Sequence, residues 1–334
     1  MSLNIEHIIQ QENWLSGVNG QNFEQYALAL FQHQFQGNEV YRDFVIAIGR
    51  KPASVTSLTE IPFLPISLFK THEVLTGASA ADVPLVFESS GTTGMQNSRH
   101  FVKDPELYKA SFLQTFRQFY GEPGDYVFLC LLPSYLERNN SSLVYMAAEL
   151  IRLSRQPESG FYLNEWTQLA GNLKTLSTSG RKVMLLGVTF ALLDFADQYP
   201  MDLSAITVME TGGMKGRREE WTRDQVHDFL KKQWQLPAVH SEYGMTELLS
   251  QAYSKGDGLF ECPPVMRVLV RDENDPFDLK LRGNGCINVI DLANVHSCAF
   301  IATDDIARIG TDGSFAVTGR LDNSALRGCS LMVV

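Results

Sequence analysis

Between residues 22 and 49 the apolar positions Phe23, Tyr26, Ala27, Leu30 and Phe31, then Tyr41, Phe44, Val45 and Ile48, recur at intervals of three and four. That period buries one face of a helix, so the N-terminal region is predicted to be helical. The run Ile61-Pro62-Phe63-Leu64-Pro65-Ile66 that follows is apolar but twice interrupted by proline, which excludes a regular helix and predicts an extended segment crossing a core. Short apolar runs at 83–87, 126–132, 182–186 and 205–211 then alternate with helical patterns at 107–120, 143–153, 166–177, 190–198 and 218–233. Alternation of this kind predicts an α/β protein with a largely parallel central sheet. After about Cys262 the texture changes to β-like runs at 266–270, 285–292, 299–303 and 314–318, separated by Asp, Asn and Gly turns. Two units are expected: residues 1–262, a helical segment plus an α/β core, and residues 263–334, a β-rich subdomain.

At 334 residues with 44% hydrophobic and 20% charged side chains, the chain has ample apolar surface for such a core. Its formal charge of -10 argues against nucleic acid and anionic membranes as partners. No apolar run reaches a bilayer span, and residues 1–10 carry no leader pattern, so a cytoplasmic location is expected. Five cysteines with no CxxC spacing suggest neither a disulfide framework nor a zinc ribbon. Cys130, Cys262, Cys286 and Cys298 sit in apolar or strand-like sequence, whereas Cys329 follows Arg327-Gly328 near residue 334. No HExxH pattern or histidine triad is present, and the acidic run 272–275 lacks the glycine and glutamate of a calcium loop.

Two stretches carry candidate chemistry. In Ser89-Ser90-Gly91-Thr92-Thr93-Gly94 hydroxyls and main-chain N–H groups converge on a short turn whose glycines admit close approach, as in a phosphate cradle. The pattern is not the Walker loop, and a plain turn is the bland alternative. In Tyr243-Gly244-Met245-Thr246-Glu247 an aromatic ring, a hydroxyl and a carboxylate suit a base and a metal, or merely a capped strand end. Further on, Asp304-Asp305 and Gly319-Arg320-Leu321-Asp322 place charged groups beside predicted strand ends.

Taken in this order and spacing, these segments resemble the adenylate-forming superfamily of acyl-CoA synthetases, luciferases and peptide-synthetase adenylation domains. The resemblance covers most of the chain. It implies the large N-terminal domain of those enzymes, with stacked β-sheets flanked by helices and a smaller β-rich subdomain. Ser89, Ser90, Gly91, Thr92, Thr93 and Gly94 match the phosphate loop, and Tyr243, Gly244, Met245, Thr246 and Glu247 the adenine and magnesium motif. Gly212-Gly213 match a glycine strand of the nucleotide pocket, Asp305 the ribose-binding aspartate, and Gly319-Arg320 with Asp322 the hinge. ATP and Mg²⁺, the latter on Glu247, are the cofactors so implied. The helical N-terminus and residues 61–70 agree with the phenylacetate ligase side of the superfamily.

Two departures shape the expected function. Where the family loop continues to a lysine this chain has Asn97, with Arg99 or Lys215 as the cations able to compensate, and the sequence stops at Val334, where the family's lid domain would begin. A chain ending near a cysteine resembles the acyl-protein synthetases of the bacterial bioluminescence fatty-acid reductase complex (LuxE-like). That implies activation of a fatty or other carboxylic acid to acyl-AMP, self-acylation on Cys329, and transfer to a partner such as an acyl reductase. A ligase that hands the acyl group to CoA or an acyl carrier protein, and a nucleotide-binding protein of reduced activity, are the alternatives.

Overall fold

The computed structural model describes residues 5–11, 13–89, 96–133, 140–212 and 221–321. Helix α1 (Ile5–Ile9) leads into α2 (Phe23–Gly37) and α3 (Glu39–Ala47). The periodic stretch is therefore two helices, and Asn38 is the reason. Its side-chain oxygen accepts from Tyr41 N at 3.0 Å while its backbone is extended, so it caps α3 instead of continuing α2. Its amide then donates to the Ser297 carbonyl at 3.0 Å. One turn earlier, buried Gln34 donates to the carbonyls of Asn294, Val295 and Ser297 and accepts from Ala299 N at 2.9 Å.

The proline-broken segment forms strand β1 (Leu64–Pro65) and the single-turn α4 (Leu68–Thr71). A two-stranded hairpin of β2 (Leu85–Glu88) and β3 (Arg99–Val102) comes next, with Glu88 opposite Arg99. Helix α5 (Pro105–Tyr120) starts where Asp104 accepts from Glu106 N and Leu107 N ahead of a proline in the first turn. Then β4 (Tyr126–Leu131), α6 (Ser142–Ser154), β5 (Gly160–Phe161), α7 (Trp166–Leu176), β6 (Lys182–Val188), α8 (Thr189–Gln198) and β7 (Thr207–Thr211) follow in βαβ order. Helix α9 (Arg223–Trp234), with a Thr222–Gln225 capping box, precedes β8 (His240–Tyr243) and β9 (Ala252–Ser254). The sheet order is β5-β4-β6-β7-β8-β9, parallel except for the final pair, as the alternation predicts. Its central strands are buried on both faces, which is why they read as continuous apolar runs.

The second sheet is antiparallel apart from one strand. It comprises β10 (Leu259–Phe260), β11 (Met266–Arg271), β12 (Leu279–Lys280), β13 (Gly283–Asp291), β14 (Phe300–Ile309) and β15 (Phe315–Arg320), in the order β10-β15-β14-β13-β11-β12. β14 is twice the predicted length, so Asp304 and Asp305 lie mid-strand and not beside a turn. β13 carries it on, pairing from Ile290↔Phe300 to Gly283↔Ile309 across a bulge at Cys286/Asn288. On its other edge β15 covers Asp305 to Ile309, and β1 pairs in parallel with Ile301 and Ala302. Thus the chain's proline-rich segment caps an otherwise open stretch of sheet edge.

Candidate functional site

The carboxyl ends of parallel strands are where α/β sheets hold ligands, and here β7 and β8 end side by side, Thr211 opposite Glu242. Gly212 follows with φ +76°, a left-handed conformation that suits glycine, and its carbonyl accepts from Thr189 Oγ1 at 3.3 Å. Tyr243 leaves β8 inward, nearly buried, with its ring meeting Phe260 and Phe315 edge-on at 5.8 and 5.4 Å. Its hydroxyl donates to Asp305 Oδ2 at 2.9 Å. Arg320, opposite Asp305 in the β14–β15 register, places Nε 3.8 Å from Asp305 Oδ1. Tyr243, Asp305 and Arg320, far apart in sequence, are therefore brought together from two sheets. Burial raises the Asp305 carboxyl, while the Tyr243 hydroxyl and the Arg320 charge oppose the shift.

Gly244, Met245 and Thr246 form the turn beyond β8, and Glu247 turns back into the protein. The Thr246 carbonyl accepts from His100 Nδ1 at 2.8 Å, and the Glu247 carbonyl accepts from Asn294 Nδ2 at 2.7 Å. Burial pushes the His100 imidazole down to about 4, so it is a neutral donor at physiological pH. The Glu247 carboxyl is raised by burial and eased back by the Ser98 hydroxyl and by the charges of Arg320 and Lys70. Ser98 closes the β2–β3 hairpin: its N–H donates to Ser89 Oγ at 2.8 Å and its carbonyl accepts from Ser89 N at 3.0 Å. Ser89 and Glu247 thus lie on either side of one residue. Arg99 begins β3 with its guanidinium 5.3 Å from the centre of the Phe101 ring.

Ser90, Gly91, Thr92, Thr93 and Gly94, Gly213 and Lys215, Asp322, and Cys329 lie outside the described residues. Of the remaining thiols, Cys130, Cys262 and Cys298 are pushed up to about 12 by burial, and Cys286 is raised as well. Each packs as an apolar side chain and is a poor nucleophile at neutral pH.

Several supporting residues carry no motif. Asp291 at the end of β13 is fully buried and accepts from Leu249 N, Ser250 N, Ser250 Oγ and Ala293 N, at 2.6 to 3.1 Å. It fixes the chain just after Glu247. Beneath the strand ends Glu210 accepts from Thr189 Oγ1 at 2.8 Å and Ser241 Oγ at 2.9 Å, with Arg223 Nε at 3.5 Å. Burial works to raise this carboxyl, but His227, Arg223 and Thr189 together hold it below its ordinary value. Neighbouring Glu242 is raised to about 7 by burial, against the hydrogen bond from Thr211 Oγ1. A Cβ on Gly244 would collide with the Glu242 carboxylate, so glycine is what lets this turn lie on that side chain. Arg223 also donates to the Val317 carbonyl at 3.2 Å and stacks over Phe260 at 5.0 Å, a second tie between the sheets.

Among the described residues no three His, Cys, Asp or Glu side chains converge as a metal cage. A lone buried carboxylate next to a hydroxyl fits Mg²⁺, which keeps waters and phosphate oxygens and takes one or two protein carboxylates.

The mixed α/β architecture, with its parallel sheet, its curled antiparallel sheet and their flanking helices, is the fold of the large N-terminal domain of adenylate-forming enzymes. In particular, the chain is similar to 2-hydroxyisobutyryl-CoA ligase, solved in an open conformation with 2-HIB-AMP and CoA. The TM-score is 0.67 at 13% identity over 89% of this chain and 74% of that one. It is also similar to ATP-bound MatB from Rhodopseudomonas palustris, with a TM-score of 0.54 at 18% identity. That match covers 85% of this chain and 58% of MatB. No protein-family model and no curated sequence matches the chain. Among the described residues no helix is long and apolar enough to cross a membrane.

Proposed function

We propose that this protein activates a carboxylic acid with ATP, forming acyl-AMP and pyrophosphate. The observation that carries the reading is the joining of Tyr243, Asp305 and Arg320 across the two sheets, one turn from buried Glu247 and Ser98. In this reading Asp305, oriented by the Tyr243 hydroxyl, accepts from the ribose hydroxyls, and adenine lies along the turn of Tyr243, Gly244, Met245 and Thr246, beside Gly212-Gly213. The phosphates rest on Ser89, Ser90, Gly91, Thr92, Thr93 and Gly94. Glu247 holds Mg²⁺, which when bound offsets the charge gathered between two anions. A substrate carboxylate oxygen attacks the α-phosphorus, a new P–O bond forms, and the bond to the β-phosphate oxygen breaks to release pyrophosphate. The chain's own contribution is positioning: His100 and Asn294 hold the backbone of the turn that carries Glu247, and Asp291 holds the backbone at Leu249 and Ser250.

For the second step, the Cys329 thiolate attacks the acyl carbonyl, a thioester forms, and AMP leaves. A fatty acid as substrate and an acyl reductase or acyl carrier protein as recipient complete this reading. The four described cysteines, all with raised thiols, support it by being unsuited to the role. Transfer to CoA is the second reading, favoured by a similar ligase having been solved with an acyl adenylate and CoA together.

Intact-protein mass and pyrophosphate release, after incubation with ATP, Mg²⁺ and a panel of carboxylic acids, test both steps. A hydroxylamine-labile gain of one acyl group, absent in Cys329→Ala while pyrophosphate release continues, is expected. Release without an adduct moves the second step to CoA or another external acceptor. No release with any acid, from a chain that still binds ATP, overturns the activation step. Glu247→Gln is expected to slow release on the order of a hundredfold.

A further inference from the structure

One well-formed cavity lies away from the nucleotide cluster. It holds about 260 Å³ and lies on the opposite face of β14, between α3, the extended segment around β1, and strands β11 to β14. Asp304 lines it, while Asp305, the next residue, meets Tyr243 on the other side. Phe44, Ile48, Phe63 and Phe277 give it apolar walls. Phe277 is 45% exposed and has the Arg50 guanidinium 5.5 Å from its ring centre, so the cavity reaches the surface there.

One of the polar groups in its wall stands out. Asn288 is 1% exposed and its Nδ2 has no hydrogen-bond partner among the described residues. Its orientation is fixed, because Oδ1 accepts from Arg271 Nη1 at 2.6 Å and a flipped amide would set donor against donor. Arg271 is itself spent on the carbonyls of Ile287 and Thr303, at 2.9 and 2.6 Å. A buried donor without an acceptor is costly and asks for one from outside. The formal charges lining the cavity sum to zero, Arg50 and Arg271 against Glu60 and Asp304, so the lining carries no net charge to offset that of an ion.

We propose that this cavity binds a small apolar molecule ending in a single uncharged carbonyl, whose oxygen accepts from Asn288 Nδ2 while its hydrocarbon body fills the aromatic wall. This site stands apart from the nucleotide cluster and does not depend on the activity proposed above.

The test is a titration of the full chain, without ATP, with 2-octanone, octanoate and octylamine, followed by saturation-transfer NMR. Saturable binding of the ketone, with octanoate and octylamine at least several-fold weaker, is expected, and added ATP should not displace it. Ala302→Leu, which pushes a side chain into the cavity from β14, should abolish binding. Asn288→Asp keeps an oxygen for Arg271 but loses the donor, and should weaken binding on the order of tenfold. No saturable binding of the ketone overturns the proposal. So do undiminished binding in Ala302→Leu, displacement by ATP, or octanoate or octylamine binding as tightly as the ketone.

Discussion

The two sheets handle polar residues in opposite ways. In the parallel sheet the central strands β4 and β6 are apolar almost throughout, and the polar groups gather on the neighbouring strands toward their carboxyl ends, where β7 gives Glu210 and Thr211 and β8 gives Ser241 and Glu242. In the antiparallel sheet polar groups sit within the strands, as Asn288 and Asp305 do, on strands bent by bulges. The parallel sheet must hide both faces under helices, so its chemistry is confined to the ends. The antiparallel sheet has two different faces and serves a different neighbour with each. The candidate nucleotide site lies where an end of the first meets a face of the second, so its integrity depends on the polar ties across that seam.

Breaking the seam at Asp291 should have the largest effect. Asp291→Ala leaves three backbone N–H groups and the Ser250 hydroxyl short of an acceptor in the interior, and is expected to cost about 4 kcal/mol in urea unfolding. Asp291→Asn, which keeps one acceptor oxygen, should recover roughly half of that. Gly244→Ala should cost about 2 kcal/mol, because the Glu242 carboxyl must leave Thr211 to make room. If it proves neutral, the turn does not rest on Glu242 as described.

Tyr243→Phe removes one hydrogen bond across the seam and should cost about 1 kcal/mol. A double-mutant cycle with Asp305→Ala checks the link, since additive losses would mean the two residues do not interact. Glu242→Gln sharpens the comparison through pH. With its carboxyl raised from 4.5 to about 7, folded Glu242 keeps a proton that the unfolded chain has released across that window. Its contribution is present at the acid end and lost as pH rises through 7, so the stability curve of Glu242→Gln should fall less between those values than that of wild type. The smallest effect belongs to a pair far from the seam: Lys182→Ala loses the exposed Asp125 contact and should leave the midpoint of urea unfolding essentially unmoved.

Much of the parallel half was legible in the sequence, since buried strands and one-faced helices have short periods that a local window detects. The β3 strand was missed because Arg99-His100-Phe101-Val102 is half polar, and His100 is buried by the turn after β8 and by the ring of Phe69. Asp304 and Asp305 looked like the edge of a turn, a reading overturned by the pairing of β14 with distant β13 and β15. In the site, Tyr243, Glu247, Asp305 and Arg320 were visible as members of a spaced set. Glu210, Asp291 and Asn294 were not, since the groups that give them a role include Arg223, Leu249 and Glu247, which lie 13, 42 and 47 positions away.

The clasp of Gln34 on the carbonyls of 294–297 spans some 260 positions of chain. During synthesis at about 5 to 20 residues per second, α2 must wait on the order of tens of seconds before its partner emerges. Until then its buried face, with Leu30 and Phe31, has nothing from the antiparallel sheet to cover it. Birth on the ribosome therefore leaves this early helix dependent on a late arrival, and a chaperone that shields one-faced helices would have its longest engagement there.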